Sequence, residues 1–246
     1  MPLANFDAPR LHVDAPLAAG ARVGLDEAQA NYVVNVMRLG AGDSILVFNG
    51  RDGEWLAGIE PVKKRGCVLV VGEKAREQTV PQDLDYLFAP LKRARLDYMV
   101  QKAAELGAAR LRPVLTRRTT PERVNLERMR ANAIEAAEQC GILSVPAVLE
   151  PEKLETALSR WDAGRRLIVC DEGADVASPL DALRALRPGP LAVLIGPEGG
   201  FAPEEREALA AKPFVTRISL GPRIMRADTA AVAALALVNA VLGDWK

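Results

Sequence analysis

Apolar and polar positions alternate in short stretches between Leu11 and Val71. SILVFN, EWLAGIE and CVLVVGE are separated by GRDG and VKKRG. A period of two marks half-buried strands, and the glycine-containing turns between them predict an antiparallel meander or a small barrel. RLHVD reads as a further strand. LDEAQANYVVNVMRLG instead has helical spacing, with Asp26 and Gln29 as a capping box and Gly40 after its last apolar turn. The polar, proline-containing EKAREQTVPQDLD then predicts a linker. The expected division is a β-rich domain over residues 1–73, a linker over 74–82 and a second domain over 83–246.

From Leu84 the pattern changes. LDYLFAP, RLRPVLT, RRLIVCDE, LAVLIG and FVTRISLG are strand-length and nearly continuous in apolar residues. Segments of helical period lie between them. RLDYMVQKAAELG places Leu96, Met99, Val100, Ala103 and Leu106 on one face and ends at Gly107. NLERMRANAIEAAEQCG has Asn125 as its N-cap, PLDALRAL follows, and PEEREALAA has Pro203 in its first turn. Repeated strand–helix units with strands apolar on both sides predict an α/β domain whose parallel sheet is covered on both faces. The tail, TAAVAALALVNAVL, is about 14 residues against the roughly 20 of a spanning helix, so it reads as a buried helix starting near Asp228-Thr229.

Composition narrows the chemistry. Cys67, Cys140 and Cys170 are odd in number and far apart, which gives no disulfide framework or paired-cysteine zinc site. His12 is the single histidine, so a two-histidine zinc site is excluded and a serine–histidine triad would have to use it. It reads as a surface or edge residue. The start, MPLANFDAPRLHV, lacks a basic stretch followed by an apolar one, and the expected location is the cytoplasm. Lys plus Arg and Asp plus Glu each number 32, yet residues 91–130 hold 11 basic and four acidic side chains. Such a local excess predicts a polyanion bound at one face.

Two strand ends, expected to be adjacent, carry the candidate chemistry, LIGPEGGF and SLGPRIMRADTA. Ligands of parallel sheets sit beyond the carboxyl ends of strands, and glycines let them approach the backbone. Neither stretch matches G-x-x-x-x-G-K-[ST] or G-x-G-x-x-G, and Glu198 would repel a pyrophosphate. The ligand should be neutral or cationic and held by backbone groups; S-adenosylmethionine, which has no phosphate, fits. Arg223 and Arg226 offer planar donor forks for phosphate or base oxygens, and Asp228 follows near a helix start, where it could serve simply as an N-cap.

LIGPEGGF, LGPRIMRADTA, LDYMVQKAAELGAARLRPV and EAAEQCG together resemble the bacterial small-subunit (16S) ribosomal RNA uridine-N3 methyltransferases of the SPOUT, or α/β-knot, superfamily. ANYVVNVMRLGAGDSILVFNGRDGEWLAGI resembles their PUA-like RNA-binding domain. The resemblance implies a parallel-sheet SPOUT domain with a deep trefoil knot, behind a small PUA-like barrel. It implies that Gly196, Pro197, Glu198, Gly199, Gly200, Leu220, Gly221, Ile224 and Met225 line an S-adenosylmethionine pocket, and that the protein is a homodimer. The chain departs from the family at Asn31-Tyr32, where a His-His pair is common, at Met225, where leucine is common, and at Asp228, where glutamate is common.

The expected reaction is methylation of uridine N3 in ribosomal RNA, with the assembled small subunit as the partner and no metal or membrane involved. Arg226 or Arg223 would stabilise charge on the base, Asp228 would orient it or take its proton, and Glu198 is the second carboxylate candidate. Arg10, Arg38, Lys92, Arg93, Arg95, Arg117 and Arg118 are the expected phosphate contacts. The alternatives are a knotted methyltransferase acting on a transfer RNA ribose 2′-hydroxyl and an RNA-binding assembly factor without catalysis.

Overall fold

The computed structural model describes residues 8–62, 66–119, 124–174 and 178–245. The chain divides into two compact units, one of residues 1–80 with 137–145, the other of residues 81–136 with 146–246.

The first unit is a curled five-stranded sheet of order β1-β3-β4-β5-β2, with strands β1 (Arg10–His12), β2 (Arg22–Gly24), β3 (Ser44–Phe48), β4 (Glu54–Val62) and β5 (Gly66–Arg76). β3, β4 and β5 form the expected antiparallel meander, β2 joins β5 antiparallel, and β1 lies parallel to β3. Inward positions such as Ile45, Val47, Ala57, Leu69 and Val71 form one buried cluster. β5 continues through Arg76, into the stretch that reads as linker, because Lys74 and Arg76 pair with Trp55 and Glu54 across a bulge. Residues 63–65 of the expected VKKRG turn lie outside the described residues.

The capping box forms: Gln29 N–H donates to Asp26 Oδ1 at 2.7 Å and Asp26 N–H to Gln29 Oε1 at 3.3 Å. The helix α1 (Glu27–Asn31) then widens into a π-helical turn over Tyr32–Val36, closed by Met37 N–H on Tyr32 O at 2.9 Å. Gly40 is not its terminator. The wider turn stops the helix earlier and puts Arg38 in the left-handed conformation, φ 59°, a placement costing a non-glycine residue about 1 kcal/mol or more. His12 lies half-buried against the Phe48 ring edge-on, with centroids 5.4 Å apart.

The second unit is a parallel sheet of order β12-β10-β11-β6-β7-β8, where β6 is Leu84–Phe88, β7 Arg110–Leu115, β8 Ala147–Val148, β10 Arg166–Cys170, β11 Leu191–Ile195 and β12 Val215–Ile218. Every residue of β6 and β11 is buried, as continuous apolar runs between two helical layers require. One layer holds α4 (Leu154–Ser159) and α6 (Pro203–Ala210), whose Leu154, Leu158 and Leu209 pack on Leu87, Val169 and Leu194. The other holds α2 (Arg93–Glu105), α5 (Pro179–Arg184) and α7 (Ala227–Val241), which pack on one another and on β11 and β12. Asn239 of α7 donates to Leu106 O at 2.7 Å. The helix α3 (Leu126–Cys140) is capped by Asn125, whose side chain accepts from Arg128 N–H at 3.0 Å. β8, α4 and β9 (Glu152–Lys153), which pairs with β7, have no counterpart in the sequence reading. The two strands are only two residues long, too short for a period to register.

Candidate functional site

All strands of the second sheet run parallel, so their carboxyl ends share one edge. The two glycine turns lie there, but their strands are not neighbours. β10 lies between β11 and β12, which separates the turns by roughly two strand spacings, about 10 Å. The expectation of adjacent loops is thereby corrected: the end of β10, Cys170-Asp171-Glu172-Gly173, sits between them.

The first turn follows Ile195. Gly200 N–H donates to Pro197 O at 2.8 Å, and Gly200 has φ 67°. A Cβ on Gly196 would stand 2.9 Å from the buried Phe201 ring, so only glycine fits there. Glu205 then fixes the start of α6: one carboxylate oxygen accepts from Ala202 N–H at 2.9 Å, the other from Arg117 N–H at 2.8 Å. Arg118 donates to Gly199 O at 2.8 Å, and Arg95 from α2 pairs with the Glu198 carboxylate. Three residues expected to meet RNA phosphate therefore converge on the loop expected to hold the cofactor.

The end of β10 supplies a cluster that the sequence reading missed. Asp171 is 3% exposed. Arg217 donates to it at 2.8 Å, Arg206 lies 3.6 Å away, and Arg206 also pairs with Glu172. The signal in the sequence was an acidic pair directly after an apolar strand. Its partners lie 34 or more residues downstream, and no local pattern connects them. Beside this cluster, burial pushes the Cys170 thiol up to about 12, so it stays protonated at neutral pH and is no nucleophile.

The second turn follows Ile218. Gly221 has φ 106° with open space where a Cβ would be. Arg223 and Ile224 are exposed, Ile224 at 93%, and Met225 is half-buried. The N-cap position of α7 belongs to Arg226, not Asp228. Asp228 stands in the first turn, half-buried, with Oδ1 accepting from Thr229 N–H at 2.8 Å. Arg223 and Arg226 are exposed and have no ion-pair partner among the described residues, and the same holds for Lys92 and Arg93 at the start of α2.

The basic stretch of residues 91–130 is not one patch. Arg110 and Arg112 start β7 and pair with Asp85 at the opposite edge of the sheet, while Arg117 and Arg118 follow its carboxyl end. Glu122 and Arg123 lie outside the described residues. In the first unit Arg38 is exposed, but Arg10 is only 3% exposed and its Nε donates to Glu54 at 2.9 Å. A guanidinium buried on a carboxylate offers nothing to phosphate, so Arg10 leaves the set of expected RNA contacts. A groove of about 1250 Å³, lined by Leu91, Arg93, Asp97, Arg128, Met129 and Arg130 among others, opens between the starts of α2 and α3.

Residues 78–239 match the family model of the RNA methyltransferase domain, and residues 25–72 that of the RNA methyltransferase PUA domain. The chain is 30% identical over 231 residues to the ribosomal RNA small subunit methyltransferase E of Rickettsia conorii, with 94% of each chain covered. Among solved structures it is similar to a Legionella pneumophila methyltransferase in complex with SAM, at 28% identity and TM-score 0.85, covering 96% of this chain and 99% of that one. It is also similar to the ribosomal RNA small subunit methyltransferase E of Neisseria gonorrhoeae bound to S-adenosyl methionine, at 27% identity and TM-score 0.82, covering 97% of this chain and 100% of the other.

Proposed function

The chain belongs to the RNA methyltransferase family, and from that premise we propose that it transfers the methyl group of S-adenosylmethionine to N3 of a uridine in small-subunit (16S) ribosomal RNA. The observation that carries the reading is the pair of glycine turns flanking the end of β10, with unpaired arginines and a carboxylate directly behind the second turn. The relatives crystallised with S-adenosylmethionine support the choice of methyl donor.

The residues present suit that donor. Gly196 and Gly200 keep the first turn close to the sheet, Gly221 leaves open space at the second, and no lysine waits for a phosphate. Gly196, Pro197, Glu198, Gly199, Gly200, Leu220, Gly221, Ile224 and Met225 would hold it, with Arg95 and Arg118 bracing the first turn from outside. When bound, S-adenosylmethionine supplies an electrophilic methyl group on a sulfonium. Arg226 or Arg223 stabilises the negative charge that grows on the uracil oxygens as N3 loses its proton. Asp228 orients N3–H or accepts that proton, and much of the rate comes from holding N3 in line. The base is unstacked to reach the site. Arg38, Lys92, Arg93, Arg95, Arg117 and Arg118 meet RNA phosphates. The proposal extends to a homodimer, to a knotted C-terminal segment, to an assembled small subunit as substrate and to the cytoplasm as location. The scheme calls on no metal ion.

The test incubates the protein with methyl-labelled S-adenosylmethionine and small subunits from cells lacking this modification, followed by nucleoside mass spectrometry. Labelled 3-methyluridine at a single position is the expected product. A labelled ribose would move the activity to a 2′-hydroxyl. No transfer, with no calorimetric signal for the donor, would leave an RNA-binding assembly factor.

A further inference from the structure

Tyr86 of β6 is fully buried, yet its hydroxyl has no hydrogen-bond partner among the described residues. Such an orphan is destabilising, a cost phenylalanine would avoid. Phe88, stacked on Tyr86 with centroids 5.1 Å apart, is a phenylalanine two residues further along the same face. A hydroxyl kept where the fold gains nothing from it calls for an account.

Its surroundings follow from the register. Leu87 faces the α4 and α6 layer, so Tyr86 faces the other layer, which contains α2 and α7. Tyr86 stands opposite Val193, and Val193 opposite Ile168, while Phe88, Ile195 and Cys170 form the next row toward the carboxyl edge. α7 packs over β11 on this side, and its first turn carries Asp228. Burial raises the phenol well above its ordinary value, and the negative charge of Asp228 on α7 adds to this. The phenol is therefore a permanent donor at working pH. Cys170 is a protonated thiol at neutral pH, which leaves Asp228, in the first turn of the helix on this side of the sheet, as the carboxylate whose charge acts on the phenol.

We infer that Tyr86 is a positioning residue for Asp228: its buried O–H donates to the Asp228 carboxylate during the reaction and fixes which carboxylate oxygen faces the uracil N3–H. The inference rests on Asp228 acting at N3 as proposed above. Thr229 N–H already holds Oδ1 from the helix side. A second donor anchored in the central strand removes the remaining rotational freedom and moves no proton itself.

The experiment compares Tyr86→Phe, Asp228→Asn and the double variant as full-length protein, with S-adenosylmethionine and unmodified small subunits. Tyr86→Phe should lower kcat about tenfold, the worth of one hydrogen bond to a charged group. Its KM for S-adenosylmethionine should stay within about twofold and its thermal midpoint should be unchanged or raised, since an orphan hydroxyl has gone. The double variant should be no slower than Asp228→Asn alone. Wild-type kcat in Tyr86→Phe beside an impaired Asp228→Asn would overturn the inference and leave the proposed reaction standing. Full activity in Asp228→Asn would remove Asp228 from the reaction and the inference with it. Losses that multiply in the double variant, or a raised cofactor KM with unchanged kcat, would make Tyr86 an independent packing or pocket residue and also overturn it.

Discussion

The two edges of the parallel sheet use the same side chains to opposite ends. At the amino edge Asp85 is 1% exposed and surrounded by three arginines: Arg110 bonds one oxygen, Arg112 the other at 2.9 Å, and Arg165 lies 3.6 Å away. Asp83 beside it is shared by Arg110 and Arg165. At the carboxyl edge Asp171 is held in the same manner by Arg206 and Arg217, but beyond it Arg223, Arg226, Lys92 and Arg93 reach solvent without an acid partner among the described residues. An arginine shut into a buried carboxylate network offers little to RNA, and an exposed one offers its donors freely. The amino edge is thus assigned to stability and the carboxyl edge to binding, the division expected of open parallel sheets.

The largest effect should come from breaking the amino edge. Asp85→Ala removes the buried carboxylate that joins the three guanidiniums and leaves Arg110 and Arg165 on Asp83 and Arg112 on Glu152 alone; breaking pairs to a buried charge costs up to about 3–5 kcal/mol. Thermal or urea unfolding should show it, while methyl transfer by the protein that remains folded at low temperature should be near that of wild type. A comparable loss of kcat in that folded fraction would mean that the two edges are not separate in function.

Arg226→Ala should do the reverse. Removing the group proposed to stabilise charge on the base should cut kcat about 100-fold or more, roughly 2.7–4 kcal/mol of transition-state stabilisation, with the unfolding midpoint unmoved because the side chain is exposed and has no ion-pair partner among the described residues. If Arg223→Ala gives the large loss and Arg226→Ala none, the two exchange roles. If neither slows transfer, the carboxyl edge does not stabilise charge in the way proposed.

This partition was only half legible in the residues. Continuous apolar runs identified β6, β10 and β11, and an Asp26–Gln29 spacing identified a helix start, because each is a local pattern of fixed period. Strand order is not local. Nothing in LAVLIG or FVTRISLG says that β10 enters between them, so the glycine turns read as neighbours and the Asp171 cluster between them went unseen. Charge counting failed for the same reason: Arg112 and Arg117 are five residues apart yet belong to opposite edges, since a strand joins them. Arg10 read as a surface cation because its partner Glu54 is 44 residues away. Arg38 took the left-handed position that Gly40 was expected to fill because a π-helical turn shortens the helix, and that widening has no signature in apolar spacing.

A smaller and more local effect should separate the two glycine turns. Gly196→Ala places a methyl against the Phe201 ring at 2.9 Å, an overpacking worth about 1–3 kcal/mol. It should raise the KM for S-adenosylmethionine and lower the unfolding midpoint together, because Phe201 belongs to the core beneath the turn. Gly221→Ala meets no atom but must hold φ 106°, so about 1–2 kcal/mol of backbone strain is expected there. Its readout should be cofactor affinity with little change in core stability. Identical profiles for the two variants would dissolve the distinction between a packed turn and an open one.

The smallest effect, and the one that probes the amino edge by charge alone, is acid dependence at Asp83. Burial works to raise its pKa, but hydrogen bonds and attraction from Arg110 and Arg165 outweigh this and hold the carboxyl below its ordinary value. The folded state therefore binds that proton less readily than the unfolded chain. Its stabilisation is complete above the unfolded value, about 3.9, and is lost as pH falls through the lower folded value. The Asp83 side chain is 48% exposed, so solvent screening limits the contribution to less than about 1 kcal/mol. Asp83→Asn should be slightly less stable than wild type at neutral pH, and urea midpoints of the two should converge as pH falls below about 4, where the wild-type carboxylate also loses its charge. Arg93→Ala at the carboxyl edge should show no such convergence, having no acid to lose. A stability gap for Asp83→Asn that persists unchanged into acid would mean that shape rather than charge joins Asp83 to its arginines, and the amino edge would then owe its strength to Asp85 alone.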